Sequence, residues 1–258
     1  MAIHPSAIVD ASADISPDAE IGPYCIVGAG VRIGARTRLM AHVYLEGKLS
    51  IGEDNVFFPY VSCGVAPQDK KYRGEASEVR IGDSNSIREF VTIHRGTEGG
   101  GMVTAIGNGN LLMAYVHVAH DVLIGNYTIL ANSVTFAGHV QVDDYANVGG
   151  HCGIHQFCRI GRHAMVGSYT VVSQDVLPFS TIATSREIKV YGANRVGLER
   201  SGFKTEAIEQ LQNTFRILTR AGLNTTQAIE RIQAEVPRTA EVAEVLEFIR
   251  QSKQGFVK

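Results

Sequence analysis

Ile124-Gly125-Asn126-Tyr127-Thr128-Ile129-Leu130 is one beat of a rhythm that decides the fold. Around it an aliphatic or aromatic residue returns at every sixth position, through Ile106, Leu112, Val118, Ile124, Leu130, Phe136, Val142, Val148, Ile154, Ile160, Val166 and Val172. The N-terminal part keeps the same beat from Ile3 through Ile33 to Phe57, and a short run, Ile81, Ile87 and Ile93, joins the two. Glycine often follows the beat residue, as in Ile33-Gly34, Ile51-Gly52 and Ile160-Gly161, and a small residue sits four places on, such as Thr37, Asn55, Thr128 or Ala164. An α-helix needs an apolar period near 3.6 and a half-buried strand a period of two, so neither fits. A six-residue period is the mark of a parallel β-helix, in which each hexad is one short strand plus a corner. Three hexads close a triangular coil of eighteen residues, and coils must stack because one alone cannot bury its apolar face. Glycine beside the beat residue is expected to let the corner turn tightly.

Two interruptions break the beat, and insertions in a solenoid map to loops. The first, near 62–79, carries Gln68-Asp69-Lys70-Lys71-Tyr72-Arg73-Gly74 and mixes charge with an aromatic ring. The second, near 98–104, holds Gly99-Gly100-Gly101, which reads as a flexible excursion; no P-loop lysine or helix follows it. After Asp175 the beat stops, Leu177-Pro178 closes the coil, and an irregular stretch is expected to Arg195. Apolar spacing then predicts helices over 204–221, 225–236 and 239–252. The expected organisation is a β-helix over residues 1–185 and a small helical domain over 186–258.

The chain of 258 residues carries a net charge of -2, and its mean hydropathy is +0.02. Nothing in that balance indicates nucleic-acid or membrane binding. The start, Met1-Ala2-Ile3-His4-Pro5, has no basic segment or long apolar run, so neither a signal peptide nor a transmembrane helix is expected, and the location is read as cytoplasmic. Cys25, Cys152 and Cys158 fall in the second inward slot of a hexad, which marks them as small buried hydrophobes rather than disulfide partners or ligands.

The chemistry concentrates in histidine. His117, His120, His139, His151, His155 and His163 lie within 47 residues, all off the inward beat, so outer faces or corners are expected for them. Residues eighteen apart stack on neighbouring coils, which places Gly138 over His120 and His139 over Asp121. An imidazole base beside a glycine N–H is what acyl transfer needs, one to take a hydroxyl proton and the other to meet an oxyanion. Three histidines drawn from several coils would instead hold a catalytic zinc with its water.

Several motifs are more specific than the bare repeat. Ile93-His94-Arg95-Gly96-Thr97, Asn110-Leu111-Leu112-Met113, His117-Val118-Ala119-His120-Asp121, Ala137-Gly138-His139-Val140 and Ile154-His155-Gln156-Phe157-Cys158, with Gln68-Asp69 and Lys71-Tyr72, are the main ones. Together they resemble the acyl-carrier-protein-dependent UDP-N-acetylglucosamine O-acyltransferases, the enzymes that open lipid A synthesis in Gram-negative bacteria. The resemblance spans the whole chain, helical tail included. It implies a left-handed β-helix, a homotrimer with active sites between subunits, and a mechanism without metal or other cofactor. It implies His120 as general base on the sugar 3-hydroxyl, Asp121 as its orienting partner and the Gly138 N–H as oxyanion donor. Adjacent strand residues point opposite ways, so the Asp121 role requires a corner there. Asp69, Lys71, His94, His117, His139, His155 and Gln156 are implied as sugar-side contacts, Asn194 and Arg200 as nucleotide contacts, and Ser168 as a gauge of acyl-chain length. The implied donor is a (R)-3-hydroxyacyl chain on acyl carrier protein, an acidic partner for which Lys204 and Arg220 are candidate contacts. The chain departs from the family pattern at Val196, usually Glu; at Ser201, often a second Arg; and at Ser168, commonly Gly or a bulky residue; the stretch Thr184-Ser185-Arg186-Glu187 also reads as carrying an extra residue. An N-acyltransferase acting on a 3-amino analogue of the sugar nucleotide is the alternative. The later N-acyltransferase of the same pathway has an added N-terminal domain, for which a beat starting at Ile3 leaves no room.

Overall fold

Each beat residue pairs with its equivalent one coil away, as in Ile3 with Ile21 and Val118 with Phe136. The computed structural model describes residues 2–184, 188–220 and 222–258. Its coils stack three parallel sheets, A, B and C, around one apolar core, the parallel β-helix expected from the repeat, with the left hand that the resemblance implies. Sheet A begins at Ala2–Ile3, sheet B at Ile8–Val9 and sheet C at Asp14–Ile15, and the chain visits them in that order in every coil. Beat residues from Ile21 onward are almost fully buried, and Phe57, Phe136 and Leu130 have no exposure. Burying each such side chain contributes about 1.5–3 kcal/mol relative to leaving it exposed. Cys25, Cys63, Cys152 and Cys158 are free and buried, as small core residues.

The corners work differently from expectation. The glycines after the beat residue do not take left-handed angles. A Cβ on Gly34 would lie 2.5 Å from the Gly52 carbonyl carbon, and one on Gly161 2.4 Å from the Pro178 nitrogen. They are small so that consecutive coils can approach. The left-handed turn comes two residues later, at Arg36, Asp54, Tyr127 and His163, with φ between 55° and 56° at these four. Such angles cost a non-glycine residue roughly 1–2 kcal/mol. Stacking of the corner side chains offsets that cost where they are rings. Tyr24, His42, Tyr60, Phe90 and Tyr115 form one continuous ladder at the A–B corner, with centroids 4.9–5.0 Å apart.

Both insertions leave the same corner, where sheet B hands the chain to sheet C. Phe57 pairs with Ile87 rather than with residue 75, so the first adds twelve residues, between the strands Ser62–Val65 and Glu78–Ile81. Ile81 pairs with Ile106 rather than with residue 99, so the second adds seven, between Thr92–His94 and Val103–Ile106. At its tip Glu98–Gly100 forms a 3-10 turn, not a loose excursion.

The stretch expected to be irregular is a β-hairpin: Ser180–Thr184 continues sheet A and Ile188–Ala193 pairs with it antiparallel. The expected boundary at 185–186, and the extra residue among Ser185-Arg186-Glu187, lie outside the described residues. Among the described residues four helices follow: α1 (Arg195–Arg200), α2 (Thr205–Arg220), α3 (Thr225–Glu235) and α4 (Ala240–Gln251). The last three match the predicted helices; α1 was not foreseen. The tail folds back on the β-helix through Arg162 and Glu244 at 2.7 Å, Arg159 over the Phe248 ring at 3.9 Å, and the Ser252 hydroxyl donating to Asp175 at 2.9 Å. Among the described residues no helix is long and apolar enough to cross a membrane.

Candidate active site

The B–C corner of successive coils collects the chemistry. His120 and Asp121 lie between His117–Val118 of sheet B and Leu123–Ile124 of sheet C. Gly138 and His139 occupy the same place one coil on, and His155, Gln156 and Phe157 the next. Asp121 has φ 61°, the corner that the expected orienting role would require. Its side chain turns beside that of His120 rather than away from it, and His120 Nδ1 lies 2.8 Å from Asp121 Oδ2.

The Asp121 side chain has no exposure. A buried carboxylate needs hydrogen-bond donors. Thr97 supplies two, its backbone N–H at 2.8 Å and its hydroxyl at 2.5 Å. The Asp121 N–H in turn donates to the Thr104 hydroxyl at 2.8 Å. Gly100 lies so close that a Cβ there would fall 2.0 Å from the Asp121 carboxyl carbon. The second insertion is therefore a clamp on this carboxylate. Sequence reasoning missed Thr104, and it missed the clamping roles of Thr97 and Gly100 because the seven extra residues spoil the eighteen-residue arithmetic across that coil.

His120 stands directly on Gly138. A Cβ at position 138 would lie 2.5 Å from its Cε1 and 2.8 Å from its Nε2. The Gly138 carbonyl accepts from the Phe157 N–H at 3.2 Å, whereas the Gly138 N–H has no acceptor among the described residues. The site thus presents a half-buried imidazole, held at one nitrogen by a carboxylate, next to an unengaged amide N–H.

Other predicted residues gather around it. His139 lies edge-on to His120 with ring centroids 5.1 Å apart, stacks on Phe157 at 4.5 Å, and places Nδ1 3.7 Å from Asp121 Oδ2. Burial holds its pKa below the usual imidazole value, opposed by the Asp121 charge. Asp69 and Lys71, in the first insertion, also act on its charge, which puts that loop at the same site. The loop is tied down by Arg95 Nε, which donates to the Tyr72 hydroxyl at 3.0 Å. His117 Nδ1 lies 2.7 Å from the Thr92 hydroxyl oxygen, and its pKa is lowered by burial and then by His120. Both rings are neutral near pH 7 and offer one donor and one acceptor nitrogen each. His155 and Gln156 are exposed at the next step of the corner.

Two histidines are covered although they lie off the inward beat. His94 is 4% exposed beneath the loops, with Nδ1 unpaired, and its pKa is pushed down to about 4, mainly by burial. It packs edge-on to His117 and stands behind the site rather than on its surface. His163 is buried at the C–A corner against Tyr145, Phe179 and Phe203.

Three predicted residues are not brought to this corner within the chain. Asn194 caps α1, accepting from the Gly197 N–H at 3.3 Å and donating to the His163 carbonyl at 3.0 Å, so it belongs to the C–A corner. Arg200 is exposed at the end of α1. Ser168 is exposed at the A–B corner, between Met165–Val166 and Val171–Val172. Of the two candidate carrier-protein contacts, Lys204 is exposed and the Arg220 side chain lies outside what is described.

Among the described residues one group has the composition of a metal site: His120, Asp121 and His139, with ligand atoms within 4.8 Å of one another. It contains two histidines and a carboxylate, not the three histidines of the zinc alternative.

A family model described as bacterial transferase hexapeptide (six repeats) matches residues 2–35 and 104–138. One described as UDP N-acetylglucosamine O-acyltransferase, domain 2, matches 175–257. The acyl-[acyl-carrier-protein]–UDP-N-acetylglucosamine O-acyltransferase of Thermodesulfovibrio yellowstonii is 48% identical over 256 residues, 99% of each chain. The UDP-N-acetylglucosamine acyltransferase structure from Bacteroides fragilis superposes with a TM-score of 0.96 at 41% identity, covering 99% of this chain and 100% of that one. The Arabidopsis enzyme superposes at 0.86 with 31% identity, covering 99% and 100%. With a curated relative nearly half identical from end to end, the chain belongs to the acyl-[acyl-carrier-protein]–UDP-N-acetylglucosamine O-acyltransferases.

Proposed function

We propose that the protein transfers a (R)-3-hydroxyacyl chain from acyl carrier protein to the 3-hydroxyl of UDP-N-acetylglucosamine, the opening step of lipid A synthesis, in the cytoplasm. The observation that carries this reading is the His120 ring seated on the unengaged Gly138 amide, with Nδ1 held by buried Asp121. The bond to Asp121 keeps the His120 proton on Nδ1 and leaves the Nε2 lone pair for the sugar hydroxyl. The alkoxide attacks the thioester carbonyl, and the Gly138 N–H meets the developing oxyanion. The proton gathered on Nε2 then passes to the departing thiolate. No step calls on a cofactor. Asp69, Lys71, His117, His139, His155 and Gln156 orient the sugar, and His94 supports His117 from behind.

Asn194 and Arg200 would hold the nucleotide and Ser168 would limit the acyl chain, although both groups stand at other corners of the same chain. A homotrimer resolves this, because a cleft between two subunits can take its surfaces from different corners. Val196 and Ser201 leave the nucleotide contacts different in detail from those of the family. An N-acyltransferase role on a 3-amino acceptor is not favoured by the relatives found.

The test supplies a ladder of 3-hydroxyacyl carrier-protein donors with UDP-N-acetylglucosamine or its 3-amino analogue and weighs the products. Transfer to the hydroxyl sugar is expected, and product formed only from the amino sugar would overturn the reading. In the same assay Ser168→Met should shift preference to shorter donors. Each methylene in an apolar pocket is worth roughly 1–3 kcal/mol, so a profile that does not move would place the end of the groove elsewhere.

A further inference from the structure

The groups proposed for catalysis are arranged to do something else as well. We infer that His120, Asp121 and His139 form an inhibitory site for a divalent transition-metal ion of the zinc type. Their ligand atoms converge within 4.8 Å, with Asp121 Oδ2 2.8 Å from His120 Nδ1 and 3.7 Å from His139 Nδ1. Two imidazoles and one carboxylate with an open position are a donor set that suits zinc, whereas magnesium prefers oxygen ligands and its own water. The carboxylate is already fixed by Thr97, so one ligand needs no ordering when the ion arrives.

The surroundings provide access. A cavity of about 830 Å³ runs from Asp121 and His139 along sheet C to the underside of α4. Asp143 and Asp175 join Asp121 in its lining, against Arg159 and Lys253; Glu244 and Glu247, also there, are paired with Arg162 and Arg250. Arg159 is turned onto the Phe248 ring. A cleft with an excess of carboxylates raises the local concentration of cations.

The consequence for His120 follows from its tautomer. A metal ion bonded to Nδ1 takes the lone pair freed when the hydrogen shared with Asp121 leaves that nitrogen. The ring stays neutral by carrying its one proton on Nε2, so no proton is lost from the residue. Nε2 is then a donor and cannot accept the sugar proton. The ion therefore blocks catalysis by locking the base in the wrong tautomer, without occupying the acceptor's place.

This inhibitory arm rests on His120 being the base; the binding arm does not. The experiment uses the full-length protein stripped with chelator and dialysed against buffered free Zn²⁺, with Mg²⁺ in parallel. Bound metal and acyl-transfer rate are measured on the same samples. We expect one zinc per chain at micromolar free metal, a rate that falls in proportion to occupancy, full recovery with chelator, and no effect of magnesium. His139→Ala and Asp121→Asn should each bind zinc at least about tenfold more weakly. Cobalt in place of zinc should show a four-coordinate absorption band that both variants lose. Zinc binding unchanged in both variants, or no zinc retained at micromolar levels, would overturn the site. Full occupancy with an undiminished rate would overturn the tautomer lock. Absence of transfer by the metal-free wild-type protein would count against the proposed function and leave the binding result to decide the site.

Discussion

At the scale of the residue, the site depends on one missing side chain. Any Cβ at position 138 would enter the His120 ring, so the proposed base and amide donor can meet only because that residue is glycine. His120→Ala should lower kcat by about 10²–10⁴-fold while circular dichroism and oligomer size stay unchanged. A variant with near wild-type kcat would remove His120 from the base role. Gly138→Ala should displace the ring and lower kcat on the order of 10²-fold, with little change in thermal midpoint, since the displaced atoms belong to a half-buried side chain. The 120–138 pairing is legible in the sequence because coil arithmetic alone predicts it. The partnership of Asp121 with Thr97 is not. It crosses an insertion whose length has no period.

At the scale of the element, the prism holds polar order inside its apolar core. At the C–A corner Asn85 and Asn110 donate to the side-chain oxygen of the asparagine one coil before, and the Thr128 hydroxyl donates to Asn110 at 2.8 Å. Asn85 also donates to the Gly107 carbonyl at 2.9 Å, and its oxygen accepts the Asn110 backbone N–H at 2.9 Å. All four groups are sealed from water, so removing the middle rung leaves donors and acceptors unmet. Asn85→Ala should cost roughly 1–3 kcal/mol or more, read as a lower urea midpoint. A midpoint that does not shift would mean that ordered water replaces the side chain. The period of six makes every coil legible, but not the reason for its glycines, which serve approach between coils rather than the turn. Three helices are legible from apolar spacing, and the structure adds a cap at Asn224, whose side chain accepts from the Gln227 N–H at 2.9 Å. The Ser180–Thr184 and Ile188–Ala193 hairpin is not, because it abandons the period that identifies every other strand.

At the scale of the whole molecule, buried histidine sets a dependence on pH. Burial pushes His94 and His163 down to about 4, against an ordinary value of 6.5. Below pH 6.5 the unfolded chain takes up protons that the folded chain refuses, so stability is lost as pH falls toward 4. Each group removes roughly 2 kcal/mol by pH 5. The urea midpoint should therefore drop between pH 7 and pH 5, and His163→Phe, which keeps the ring stack, should flatten that slope. An unaltered slope would shift the effect onto other groups. The three corners carry a different consequence. His120 stands at one, Asn194 at another and Ser168 at the third, so a lesion at one corner leaves the surfaces of the others intact. In the proposed trimer, two impaired chains should then be able to repair one another. When His120→Ala and Arg200→Ala subunits are unfolded together and reassembled, some clefts will draw an unmutated histidine corner from one parent and an unmutated α1 from the other. Activity in the mixture should rise well above that of either parent alone, and no such rise would mean that every cleft is built by a single chain. In a cell holding both alleles, the same geometry makes these two kinds of mutation complement each other within one gene.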